Sequence, residues 1–190
     1  MSASGGGYGA WAARRRVPLG FALSVLYLVL AQPTPALLAA GGAVALGGLA
    51  LRAWAAGYLD KSSALATAGP YALTRNPLYL GSSLIGIGFA LAGRSLVMAA
   101  ALAALLVLIY VPVIRREEGF LREKFGAAHT QYAERVPLIF PNLKRTVGGG
   151  ERFKWARYKK NREYEAAVGY AAGLFLLAMK IVLRYEHVLK

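Results

Sequence analysis

The sequence has no cysteine. Disulfides, thiolate catalysis and cysteine-ligated metal sites are therefore excluded. Histidine is nearly as scarce: His129 and His187 stand far apart with no carboxylate spacing around them, so no metal site is expected. Acidic residues number 9 against 23 Lys and Arg, which leaves a formal charge of +14. No glycine fingerprint lies between a strand and a helix, so a dinucleotide-binding α/β domain is not expected. A signal peptide is not expected either. Arg14-Arg15-Arg16 precedes an apolar run, but no small-x-small cleavage site and polar mature chain follow it.

What fills the chain instead is apolar. Hydrophobic residues make up 57% of 190 positions and the mean hydropathy is +0.43. That exceeds an ordinary soluble domain and implies an all-α, polytopic transmembrane helix bundle of about five spans. In such a chain the cations collect on the cytoplasmic side, facing anionic lipid, which accounts for the charge without nucleic acid. The Ala-, Gly- and Arg-rich usage points to the inner (plasma) membrane of a bacterium.

Four segments follow from the pattern. Residues 1–16 read as a flexible basic tail. Residues 17–59 hold two spans, Val17 to Ala31 and Ala36 to Leu59, separated by Gln32-Pro33-Thr34-Pro35. Gly41, Ala45 and Gly48 share a face of the second span and allow a close helix neighbour. Arg52 lies inside that span, about two turns from its cytoplasmic end; it is either a functional cation or a side chain snorkelling to the headgroups with Trp54 and Tyr58.

Residues 60–147 form the third segment: a polar loop, a helical hairpin and a polar helix. Pro77 opens the hairpin, Leu78 to Ala92 and Leu96 to Ile114, with Gly81, Gly86 and Gly88 thinning one side and Pro112 expected to kink its exit. Glu117 to about Tyr132 has helical spacing. From Arg115 to Glu163 there are 13 Lys or Arg against 6 Glu, so this side is read as cytoplasmic. Residues 148–190 carry a glycine linker, a basic segment with interleaved aromatics from Arg152 to Arg162, and a fifth span, Ala166 to Leu183. Beside an apolar helix, that basic segment reads as an interfacial anchor rather than a nucleic-acid site.

The chain is organised around Gly69-Pro70-Tyr71-Ala72-Leu73-Thr74-Arg75-Asn76-Pro77-Leu78-Tyr79-Leu80-Gly81. Two prolines shape it, and two tyrosines, an arginine and an asparagine crowd into nine residues. An interfacial belt is the plain alternative. A second stretch follows, Glu117-Glu118-Gly119-Phe120-Leu121-Arg122-Glu123-Lys124-Phe125-Gly126, continuing through Tyr132 to Val136-Pro137. Together, in this order and at this separation, the two resemble the integral-membrane isoprenylcysteine carboxyl methyltransferase family and its phospholipid methyltransferase relatives. Their pattern is G-x-Y-x-x-x-R-[HN]-P-x-Y-x-G, a hairpin, then E-E-x-x-L-x-x-x-F-G. The resemblance runs from about Leu65 to Pro141.

The resemblance implies a cytoplasmic-face pocket for S-adenosylmethionine. Carried over by position, its cofactor contacts are Tyr71, Asn76, Pro77, Leu78, Tyr79 and Glu117, with an upstream strip at Ser63, Ala64, Leu65 and Ala66. Chemically, Tyr71 or Tyr79 suits adenine, Glu117 or Glu118 suits the methionine ammonium, and Arg75, Asn76 or a tyrosine hydroxyl suits its carboxylate. Arg75, Glu117 and Glu118 are the candidate catalytic residues. An exposed helix start that pairs with Arg115, Arg116 or Arg122 is the structural alternative for the two glutamates.

The implied acceptor is a lipophilic or lipidated molecule entering from the bilayer, an isoprenylcysteine-like carboxylate first and a phospholipid amine second. A non-catalytic scaffold or transporter is the reading from another class. Three departures concern the acceptor or packing: Asn76 stands where prenylcysteine enzymes usually carry His, Val113 where eukaryotic ones place an arginine, and His129 where the pattern has Tyr.

Overall fold

Pro35 occupies the first helical position after Thr34, whose hydroxyl accepts from the Leu37 amide at 3.4 Å. Such a cap satisfies one of the amides that a helix start leaves bare. It opens α2 (Pro35–Ala56), the helix against which much of the chain is laid. The computed structural model describes residues 8–60, 64–144 and 151–188. Before α2 comes α1 (Tyr8–Leu30), which begins inside the segment expected to be an irregular tail and takes Arg14 and Arg15 into its first turns. Residues 1–7 of that expected tail lie outside the described residues, as does the expected glycine linker at 148–150.

The hairpin is α3 (Pro77–Ala92) and α4 (Leu96–Leu105). Ser95 caps α4 by accepting from Met98. Helix α4 runs on through a widened turn, Leu106–Tyr110, into α5 (Val111–Phe125). Pro112 has no amide to donate and its ring crowds the carbonyl four residues back. The backbone responds by lengthening a hydrogen bond by one residue, Val111 N–H to Leu106 carbonyl. The proline expected to kink the exit is thus absorbed by a π-turn within one continuous 30-residue helix. The polar helix expected from Glu117 to Tyr132 is in fact two, because Gly126 adopts φ +51° and separates α5 from α6 (Ala127–Arg135). Two more helices complete the chain, α7 (Trp155–Lys160) and α8 (Tyr164–Val188).

Every regular element among the described residues is helical. Three helices are long and apolar enough to cross a membrane: Pro35–Ala56, Leu96–Phe125 and Tyr164–Tyr185. Two apolar helices are shorter, Val17–Leu30 and Pro77–Ala92. At 1.5 Å per residue the latter spans about 24 Å, less than a typical ~30 Å hydrocarbon core. The chain is an integral membrane protein on these helices.

Helices α2 and α3 meet backbone to backbone. A Cβ on Gly48 would lie 2.5 Å from the Gly81 carbonyl oxygen, and one on Gly88 would lie 2.5 Å from the Gly41 carbonyl oxygen and from the Ala45 amide. Gly86, expected on the same thin side, instead faces Leu102 of α4. In lipid, where apolar surface gains little by leaving one hydrocarbon for another, close packing of this kind holds helices together. Gly48→Leu is therefore expected to lower the thermal midpoint of the purified protein, by the equivalent of about 1–3 kcal/mol. Gly47→Leu is the control, because nothing lies within 4 Å of a Cβ there; equal midpoints for the two variants would refute the packing argument.

The C-terminal segment caps α2. Asn161 donates its amide to the Ala56 and Leu59 carbonyls at 3.1 and 3.0 Å, Arg157 donates to the Tyr58 carbonyl at 3.3 Å, and the Lys154 amide donates to Gly57. Phe153 packs edge-on against Tyr58 at 6.3 Å. The basic aromatic stretch is thus engaged with α2, while Trp155 stays exposed. At the other end Lys180 donates to the Leu28 and Val29 carbonyls, both at 2.8 Å, covering the bare C-terminus of α1.

Candidate functional site

Between α2 and α3 the chain makes a tight turn of helix at Gly69–Ala72, with Pro70 in its first turn. Gly69 is in the left-handed region at φ +60° against the Tyr58 ring. A strap from Val136 to Asn142 lies over the following residues. The Arg75 amide donates to Pro137 at 2.9 Å and the Asn142 amide to Leu73 at 3.0 Å. The buried Thr74 hydroxyl donates to Ile139 at 2.9 Å, and the Tyr132 hydroxyl donates to the Tyr71 carbonyl at 2.7 Å. With its backbone donors and acceptors occupied in this way, the central stretch is held rigid rather than draped as a loop.

On that frame the candidate side chains are distributed as follows. Tyr79, on the first turn of α3, donates its hydroxyl to Glu117 Oε1 at 2.9 Å and meets Tyr110 edge-on at 5.3 Å. Tyr71 is buried. Burial first, then Tyr132, Glu163 and Glu117, raise its phenol well above the ordinary range, against a smaller lowering by Arg52. It stays neutral. Pro77 is buried at the helix start and Leu78 half-buried behind it. Asn76 is buried and gives its amide to the Leu138 carbonyl at 3.1 Å, so it fastens the strap. Ala64, Leu65 and Ala66 lie in an irregular segment leading to the turn, and Ser63 falls outside the described residues.

Arg75 and Glu118 meet each other. Arg75 Nη1 donates to Glu118 Oε2, and both side chains are 14% exposed. His129 is wholly buried, with Nε2 3.7 Å from the same carboxylate oxygen, and neither ring nitrogen has a hydrogen-bond partner among the described residues. Glu117 and Glu118 therefore differ: the first faces outward beside Tyr79, the second faces inward against a cation. Val113 is buried next to Ile109, with Tyr79 and Tyr110 packed against them. Arg115 and Arg116 are exposed.

The structure adds a pair that the sequence left half-seen. Arg52 sits about one turn from the end of α2, not two. It does not snorkel. Its Nε and Nη2 donate to the two oxygens of Glu163 at 3.0 and 2.8 Å, and its Nη1 donates to Ser82 and to the Leu78 carbonyl. Glu163 is buried just ahead of α8, and nothing in its local sequence marks it. A charge inside an apolar helix was the available signal for Arg52; its partner, 111 residues away, had none.

Arg52 also borders a chamber of about 630 Å³ between α1, α3, α4 and α8. Its walls are apolar, Phe21, Ile85, Phe89, Leu102 and Leu176 among them, and Arg52, Ser82 and Tyr110 lie toward the candidate site. Along α4 and the widened turn after it the lining extends from Met98 to Tyr110, about 18 Å at 1.5 Å per residue. Tyr110 belongs to both places: it lines the chamber and contacts Tyr79.

Among the described residues no three His, Asp or Glu side chains converge to hold a metal ion, and the side chain of His187 is not among those described. The model of the family described as phospholipid methyltransferase matches residues 37–128. The chain is 40% identical over 94 residues to the cobalt-zinc-cadmium resistance protein CzcN of Cupriavidus metallidurans, covering 48% of this chain and 43% of that one. It is 38% identical over 94 residues to the nickel-cobalt-cadmium resistance protein NccN of Alcaligenes xylosoxydans xylosoxydans, covering 48% and 44%. The matched region is thus less than half the length of these relatives. No solved structure matches the chain. The segment that holds the central stretch, the hairpin and both glutamates, residues 37–128, is thus similar to the phospholipid methyltransferase family.

Proposed function

We propose that the chain is an S-adenosylmethionine-dependent methyltransferase that acts on a lipophilic acceptor, with its cofactor site on the cytoplasmic face of a bacterial inner membrane. One observation carries this reading: Tyr79 joins the outward carboxylate of Glu117 to Tyr110, and Tyr110 lines an apolar chamber about as long as a lipid chain. The donor set fits the cofactor. Glu117 is a carboxylate for an ammonium, the half-buried Tyr79 offers a ring face, and the strap holds the backbone between them in place.

When bound, the cofactor supplies a methyl group already activated on a sulfonium. The protein's residues then have little chemistry of their own to do. Tyr79 fixes Glu117, the strap holds Asn76 and Pro77 in place, and the chamber keeps water from the acceptor's chain. Neither Tyr71 nor Tyr132 serves as a base. Burial raises both phenols, so they remain protonated at neutral pH. A carboxylate acceptor, isoprenylcysteine-like in having an apolar chain, needs no base and is the first choice. A phospholipid amine is the second, favoured by the description of the matching family. The exposed cations of Arg115, Arg116, Lys154, Lys159 and Lys160 face anionic lipid in this reading.

The relatives' names speak of metal resistance; under this proposal a part in such resistance would run through methylated membrane components. The test is binding of S-adenosylmethionine and S-adenosylhomocysteine to the detergent-purified chain, followed by methylation of a lipid extract with labelled cofactor. Saturable binding of both and a labelled lipid product are expected. Alkali-labile label marks a carboxyl ester and alkali-stable label an amine. No binding in a folded, lipid-supplied sample rejects the enzyme and leaves a scaffold.

A further inference from the structure

The Arg52–Glu163 pair is costly where it stands. Both charges are largely removed from water, with side-chain exposures of 23% and 8%. A buried ion pair commonly does no better than two apolar residues of the same size. As a strut it is redundant, because α8 and the segment before it are already tied down by Asn161 and Arg157 on the end of α2, by the Tyr170 hydroxyl on the Gly42 carbonyl at 3.1 Å, and by Lys180 on α1. Its position does have a use. Arg52 lines a mostly apolar chamber beside Ser82, so one strong cation stands at the head of a space shaped for a chain.

We propose that Arg52 is the cation that selects the acceptor's anionic head, and that Glu163 is its resident counter-ion, displaced when an acceptor enters. The occupant is a single-chain amphiphile ending in a carboxylate or a phosphate. Glu163 holds Arg52 by two parallel hydrogen bonds, the same geometry that such a head would adopt. Meanwhile Ser82 and the Leu78 carbonyl keep the guanidinium in place from α3. The backbone ahead of Glu163 is suited to release it: Arg162 is held at φ +56°, a strained conformation for a residue with a side chain. Glu163 lies outside residues 37–128, so this control belongs to the C-terminal part of the chain rather than to the family segment. The inference deepens the methyl-transfer reading and rests on it for the fate of the bound acceptor.

The test uses the full chain in detergent, without cofactor, and a photoreactive diazirine fatty acid whose sites of attachment are mapped by mass spectrometry. Palmitate, hexadecyl phosphate and hexadecanol compete against it. Labelling is expected on chamber-lining residues of α3 and α8, such as Phe89 and Tyr170. One or both acids should compete at least about tenfold better than the alcohol, and which acid does so identifies the head. Glu163→Gln should tighten the acids about tenfold and leave the alcohol unchanged. Arg52→Gln should bring the acids down to the level of the alcohol. Equal competition by all three in the wild type overturns the proposal whether or not the variants fold, and so does labelling confined to outer surfaces, or an acid affinity that Glu163→Gln leaves unchanged or weakens. S-adenosylmethionine binding is measured on the same samples. Its presence without head selection sinks this inference alone, and its absence with head selection intact sinks methyl transfer alone.

Discussion

Glu117→Gln is expected to weaken S-adenosylmethionine and S-adenosylhomocysteine equally, by roughly 10- to 100-fold, with little change in thermal midpoint. Both ligands carry the same ammonium, so a carboxylate that recognises it is lost to both. A hydrogen bond to a charged partner contributes about 1.5–3 kcal/mol, which corresponds to that range. The fold should tolerate the change. Glutamine keeps an oxygen able to accept from the Tyr79 hydroxyl, and Glu117 is exposed on α5 rather than part of the packing. Tyr79→Phe then gives the smaller effect, roughly fivefold, since it frees the carboxylate without removing it. Titration by calorimetry or equilibrium dialysis reads both. Affinities unchanged for both ligands in Glu117→Gln would take Glu117 out of the site.

Arg75 and Glu118 carry the other large effect, and it falls on stability. Glu118→Leu leaves the Arg75 guanidinium largely buried beside His129 without its carboxylate, and a stranded charge of that kind costs about 3–5 kcal/mol. Arg75→Met strands the carboxylate in turn. The double variant removes both charges at once and should recover most of the loss, because an apolar pair fills the same space without desolvation. A cycle of thermal or denaturant midpoints on the four proteins measures the coupling. Additive losses would show that the two residues act separately, and would restore them as independent candidates for ligand contact.

The two glutamates show how far residue order reaches. They are adjacent in the chain and look alike, and the sequence marks them together as a helix start or as ammonium partners. Helix geometry turns neighbouring residues about 100° apart, so one faces Tyr79 and the other Arg75. Asn76 was legible as a hydrogen-bonding residue before a proline, but not as the fastener of a strap that arrives from Leu138. Arg52 was legible as a charge in the wrong place, and Glu163 was not legible at all.

Residue order alone carries what local chemistry can set. Long apolar runs between polar turns made helices that suit a bilayer, Thr34-Pro35, Ser95 and Pro77 set where they begin, and glycines at helical spacing marked the face on which α2 would meet α3. Those are consequences of backbone donors, fixed φ angles and side-chain size within a few residues. What stands beside what across the chain came from the packed fold. Packing absorbed Pro112 into a π-turn, turned Gly86 toward α4, broke the polar helix at Gly126, and set α8 so that Glu163 meets Arg52 at the edge of a mostly apolar chamber. Charge pairs and cavities depend on the relative placement of helices, which arises from packing many side chains at once and leaves no mark in the order of neighbouring residues.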